Sequence, residues 1–182
     1  MNGTEFNINS NYGDINNIDS PEFKVDSIIN IIISDISQAG IVVDIRDRSF
    51  PAKVNEKIIH NKLKNNRIIV QQYKFYSSKI EMAYDIVEKN LVNGKQQAML
   101  TLQKMYVTAL NKFNIDYFDP DMNLIHRHAD DIIDETIKQL TKFLYNSANV
   151  CFTKEQMIIG INVVVAHAFV ECYVLENPND SD

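Results

Sequence analysis

Residues 67–90 read RIIVQQYKFYSSKIEMAYDIVEKN, and the reading of this stretch decides the fold. Its large side chains fall at Ile69, Tyr73, Tyr76, Ile80, Ala83, Tyr84 and Val87, in steps of three and four. That spacing puts them on one face of a helix with about 3.6 residues per turn. Three tyrosines on or beside the stripe give it a large apolar area whose hydroxyls still need partners. So long an apolar face does not stay in water, and other helices must cover it.

Working towards the C-terminus, Asn93-Gly94 stops this helix. Residues 95–113 repeat the pattern at Ala98, Leu102, Met105, Tyr106, Ala109 and Phe113. The short connection predicts that the two helices lie antiparallel as a hairpin. Asp119-Pro120-Asp121 caps a third helix running to Asn146, with Ile125, Ile132, Ile133, Ile137, Leu140 and Leu144 inward. Thr153 and Gln156 form a capping box for the last helix, read as residues 153–176. It carries Met157, Ile161, Val164, Val165, Ala168, Phe169, Cys172 and Leu175. Apolar nearly all round, it belongs at the centre or in a subunit interface, and Gly160 lets another helix approach closely.

Towards the N-terminus the signals weaken. Residues 57–63 (KIIHNKL) begin a helical or extended lead-in, and residues 46–55, with Pro51, read as a loop. Residues 41–44 (IVVD) read as a short strand or an extended connection. Ser20-Pro21-Glu22 is a helix start, and the helix would bury Val25, Ile28, Ile29, Ile32 and Ile36 before stopping at Gly40. Its isoleucine density leaves a strand as the alternative. Residues 1–20 are rich in Asn and have little to bury, so a flexible tail is expected, able to pair as a strand in an assembly. The expected fold is mainly α, a bundle of about five helices packed around residues 67–90 and 153–176. A flexible tail (1–20) and an N-terminal helix with its linker (21–56) precede a helical bundle domain (57–178).

Composition agrees with long helices. Glycine and proline number five and four in 182 residues, too few for the frequent turns of a sandwich or barrel. The formal net charge of −6 is unevenly spread. Residues 53–79 hold seven Lys/Arg against Glu56, whereas residues 114–182 hold twelve Asp/Glu against Arg127, Lys138, Lys142 and Lys154. Such segments either attract each other within the fold or face different partners. Cys151 and Cys172 each sit among apolar residues and read as reduced core cysteines. No signal peptide opens the chain, and residues 156–170 are too short to span a bilayer, so a cytoplasmic protein is expected.

Motifs that carry chemistry are scarce. Residues 126–131 (HRHADD) approach the H-x-H-x-D-H spacing of metallo-β-lactamase-like hydrolases, but Asp131 replaces the last histidine. On a helix His126 and His128 point about 200° apart and cannot share a metal. The plainer reading is a solvated turn with Arg127 pairing Asp131. Asp130, Asp131, Asp134 and Glu135 read as an acidic helix face, with Asp134 pairing Lys138. His167, on the most apolar helix, reads as a buried, hydrogen-bonded histidine, and His60 stands alone. No nucleophile motif, phosphate loop or C-x-x-C pair occurs, so neither enzyme activity nor a cofactor or metal is expected. The contact candidates are the basic residues Lys57, Lys62, Lys64, Arg67, Lys74 and Lys79, interleaved with Tyr73, Phe75 and Tyr76. Those aromatics lie on or near the core stripe, where packing consumes them.

Four pieces of the chain carry a family resemblance: residues 57–63, the helix with Tyr73, Ile80 and Tyr84, the next helix with Leu100, Leu102 and Tyr106, and residues 164–178 (VVAHAFVECYVLENP). In this order they resemble the small helical domains of ABC-three-component systems, the Lamassu-like bacterial anti-phage defence operons. Such systems combine an SMC/Rad50-like ABC ATPase, a middle component and an effector, and an Asn/Gly/Ile-rich stretch like residues 7–17 commonly precedes the helical domain. The chain departs from the pattern in having no effector module ahead of residue 57. The resemblance therefore implies a non-catalytic assembly or adaptor subunit, or a truncated effector, with the ATPase and an effector subunit as partners. The alternative expectation is a small nucleic-acid-binding regulator using the basic residues of 57–79. A homo-oligomer is compatible with either.

Overall fold

The computed structural model describes residues 26–38 and 50–178. Six helices follow one another: α1 (Ile28–Ser37), α2 (Ala52–His60), α3 (Arg67–Asn90), α4 (Gly94–Lys112), α5 (Met122–Tyr145) and α6 (Lys154–Val170). The protein is a mainly α bundle, with no strand among the described residues. The expected tail, the Ser20-Pro21 helix start and the 41–44 strand lie outside the described residues. Within them, α1 is capped by Ser27, whose hydroxyl accepts from the Asn30 amide. The expected 46–55 loop gives way at residue 52, where α2 starts directly after Pro51.

Apolar spacing explains which faces meet. α6 has no polar side over most of its length, and residues 163–169 are all buried. It lies in the middle, packed by α1, α3, α4 and α5. The stripe read from α3 is the one buried, except that Tyr73 is half-buried and Val70 joins it. α3 and α4 touch beside their connection, where Tyr84 meets Met99, but α3 then packs chiefly on α6 and α1 while α4 packs chiefly on α5.

The last backbone groups of a helix have no partner within it and need others. At three C-termini the chain turns left-handed without glycine, at Lys62 (φ 54), Asn114 (φ 56) and Cys172 (φ 63). Each makes the paired bonds of a Schellman turn; after α6 the Tyr173 amide donates to the Ala168 carbonyl at 2.8 Å and Cys172 to Phe169 at 3.3 Å. Hence α6 ends at Val170 instead of residue 176, and Val174 and Leu175 are buried by a returning segment rather than by a helix. Cys172 stands on that turn and is exposed, as is Cys151, so neither is a core cysteine. Other ends are closed from a distance. Asn149, between α5 and α6, accepts from the Ser27 amide at 2.8 Å and donates to the Ser27 carbonyl at 3.1 Å.

One glycine decides a helix crossing. A Cβ built on Gly160 would lie 2.4 Å from Cγ2 and 3.0 Å from Cβ of Ile33, so α1 rests on α6 only because that atom is missing. Helix propensity alone favours alanine there by about 1 kcal/mol. Overpacking against a β-branched side chain costs about 1–3 kcal/mol and outweighs it. Gly160→Ala should therefore lower the unfolding free energy measured in urea, and adding Ile33→Ala should give less than the sum of the two losses. A Gly160→Ala protein more stable than the parent would refute the close crossing.

Candidate functional site

The six basic residues do not form one surface. Lys57 is buried, with its Nζ donating to the Phe169 carbonyl at 2.7 Å and lying 4.8 Å from the centre of the Phe169 ring. It closes the C-terminus of α6, where the aligned carbonyls favour a cation. Lys62, Lys64 and Arg67 are exposed together at the α2–α3 turn, and Arg67 Nε donates to the Lys64 carbonyl at 2.9 Å. Lys74 and Lys79 are half-buried on α3, five residues and so about 140° apart. Lys74 lies over Phe75, 5.3 Å from the ring centre. Tyr76 is buried and Tyr73 and Phe75 pack against the core, so the interleaved aromatics serve packing.

The basic turn and the acidic helix do meet, but through amides instead of side-chain charges. Asp130 of α5 accepts from the Asn66 amide at 2.8 Å and the Lys64 amide at 3.2 Å. Asn66 Nδ2 donates to the Asp130 carbonyl and to Asp134 Oδ1, at 3.0 and 2.9 Å. α3 has no side-chain cap of its own, and Asp130 supplies the acceptor from another helix. The expected i+4 pairs give way to others. Asp131 is taken by His128 Nδ1 at 3.2 Å, and Lys138 stands 3.9 Å from Glu135. His126 Nε2 lies 2.8 Å from the His60 carbonyl, and His128 stacks on Phe113. The two histidines thus serve different contacts.

A polar cluster that sequence reading missed lies where α3, α4 and the end of α6 converge. His167 is fully buried between Tyr73 and Tyr84, ring centres 5.5 and 5.1 Å away. Its Nδ1 is 3.1 Å from the Tyr73 hydroxyl, whereas its Nε2 is buried without a hydrogen-bond partner, 3.8 Å from Glu81 Oε1. Glu81 and Glu171 are both exposed, and one donor atom from each lies within 4.8 Å of the other and of the imidazole. Lys95 reaches across from α4 to Glu81 at 3.1 Å and over the Tyr84 ring at 5.0 Å. Burial, reinforced by Lys95, lowers the His167 pKa to about 3. Burial first, then Glu81 and Glu171, raises the Tyr73 hydroxyl to about 12. The residues come from distant stretches, and the only sequence sign was His167 and Glu171 four apart on an otherwise apolar helix.

Comparison with known protein families, curated proteins and solved structures finds no match to this chain. Among the described residues no helix is long and apolar enough to cross a membrane.

The buried imidazole sets a pH dependence. Above pH 6.5 it is neutral in both folded and unfolded chains. As the pH falls from 6.5 towards 3, the unfolded chain takes up a proton that the folded chain refuses. Stability contributed at neutral pH is therefore lost on acidification, by about 1.4 kcal/mol per pH unit from this group. Urea unfolding followed below pH 6.5 should show that slope flattened in His167→Gln. An equal slope in both proteins would contradict the assignment.

Proposed function

We propose that the chain is a non-catalytic assembly subunit of an ABC-three-component-like defence complex, docking on the SMC/Rad50-like ATPase through α3. The observation that carries this reading is a second apolar stripe on α3, separate from the core stripe. Ile68, Met82 and Ile86 lie along one side of the helix and are 62%, 54% and 43% exposed, with Phe75, half-buried against the core, at the edge of the stripe between Ile68 and Met82. Exposed apolar residues on one side of a helix are a surface that the apolar face of a partner helix can cover. Helix periodicity puts this stripe about 130° from the core face. Val92, 79% exposed, extends the apolar surface into the α3–α4 connection.

Coupling of DNA-end sensing by the ATPase to release of a separate effector would then pass through this helix. The resemblance of residues 57–178 to the helical domains of such systems supplies the partner class. Two exposed free cysteines fit a reducing compartment, and we place the complex in the cytoplasm.

The alternative, a nucleic-acid regulator, would use Lys62, Lys64 and Arg67, on a turn that holds Asp130 and Asp134 through the Lys64 amide and the Asn66 side chain. Those carboxylates oppose a phosphate, so protein docking is the better-supported reading. The test is a tagged pull-down from the native host at moderate salt. The parent chain should bring down a stoichiometric ATPase with a P-loop and long coiled coils. Ile68→Asp with Met82→Asp should keep helical content and lose that partner. Elution alone, or with nucleic acid that high salt removes, would overturn the proposal.

A further inference from the structure

We propose that Glu81, His167 and Glu171 bind one divalent transition-metal ion, zinc by preference, at the end of α6. The site goes beyond the docking function and does not depend on it. Helix periodicity places Glu81 about 120° around α3 from the apolar stripe.

His167 Nε2 is fully buried and makes no hydrogen bond, although two carboxylates stand beside it. At 3.8 Å from Glu81 Oε1 it is too far to share a proton. Two ligands on a tetrahedral zinc, with bonds of about 2.0–2.1 Å, lie about 3.3 Å apart. The imidazole is held by packing, whereas Glu81 and Glu171 are exposed side chains whose rotatable stems let the carboxylates close the remaining distance.

The surroundings suit a metal ligand. His167 Nδ1 faces the Tyr73 hydroxyl at 3.1 Å, the outer contact that orients a metal-binding imidazole. With the proton on Nδ1 donated to Tyr73, the Nε2 lone pair points at the carboxylates. Metal binding takes the neutral imidazole, with Nε2 unprotonated. His167 and Glu171 are one helical turn apart at a C-terminus, whose partial negative charge attracts a cation. One imidazole and two carboxylates fit zinc or a neighbouring first-row ion better than magnesium or calcium. Three protein ligands leave a position for water. A cleft of ≈ 320 Å³, lined by Lys95, Met99, Glu171 and Tyr173 among others, opens at Glu171.

Lys95 holds the place of the ion. Its ammonium pairs with Glu81 Oε2 at 3.1 Å, and its side chain is 34% exposed. A cation bound at Glu81 Oε1 meets the Lys95 charge on the same carboxylate, so Lys95 and the ion compete for it. That competition separates this site from casual binding by surface acids.

The test uses the full chain with Cys151→Ser and Cys172→Ser, stripped of metal and titrated with zinc against a chromogenic chelator. One ion per chain is expected. Glu171→Gln, an exposed change that leaves the core untouched, should weaken binding by about tenfold or more. Glu81→Gln should do the same, and Lys95→Met should tighten binding several-fold. No binding, or binding that Glu171→Gln and Lys95→Met leave unchanged, would overturn the site.

Discussion

The arrangement of this fold depends on burying the second half of α6, residues 163–169, on every side. α6 carries Val163, Val164, Val165, Ala166, Ala168 and Phe169 in near succession, so no orientation leaves a polar face for water. Four helices surround it, and each contact answers a local requirement. α1 needs Gly160 to come close, and α3 brings Tyr73 and Tyr84 to enclose His167. The end of α6 is then also buried, and its carbonyls need donors that water cannot supply. Lys57 provides one from α2.

The same constraint accounts for the unusual share of helix ends closed from elsewhere in the chain. Asp130 serves the start of α3 and Asn149 the start of α1. Asn61 binds the Glu176 backbone through both its amide nitrogen and its oxygen, at 2.7 and 3.0 Å. The Tyr106 hydroxyl donates to the Glu176 carboxylate at 2.7 Å. These contacts fasten the segment after α6 to α2 and α4. Single bonds of this kind contribute about 1 kcal/mol each, but an orphaned buried partner costs more. The bundle is held in register by polar contacts at its ends and by apolar contacts along its length.

That division explains what could be read in advance. Side-chain periodicity is local, so α3, α4 and α5 are legible to within a residue or two, as are the Thr153 capping box and the central place of α6. Interactions between distant stretches are not local. Lys57 looked like a surface cation because nothing in its neighbourhood announces the Phe169 carbonyl. The end of α6 was overrun because Cys172, not glycine, takes the left-handed position, and Leu175 continues the apolar spacing while belonging to the returning segment. Asp130 looked like one acid of a solvated face until the α2–α3 turn arrived beside it. The Glu81, His167 and Glu171 group was invisible for the same reason.

α3 and α6 therefore carry both the stability of the protein and the surfaces proposed for function, with the exposed stripe and Glu81 on either side of the core stripe of α3. Amide hydrogen exchange, resolved by residue, tests the central place of α6 most directly. The account predicts the slowest exchange in residues 160–169 and in the facing turns of α3 around Ile80 and Tyr84. Exchange in α6 as fast as in the exposed first turn of α2 would contradict it.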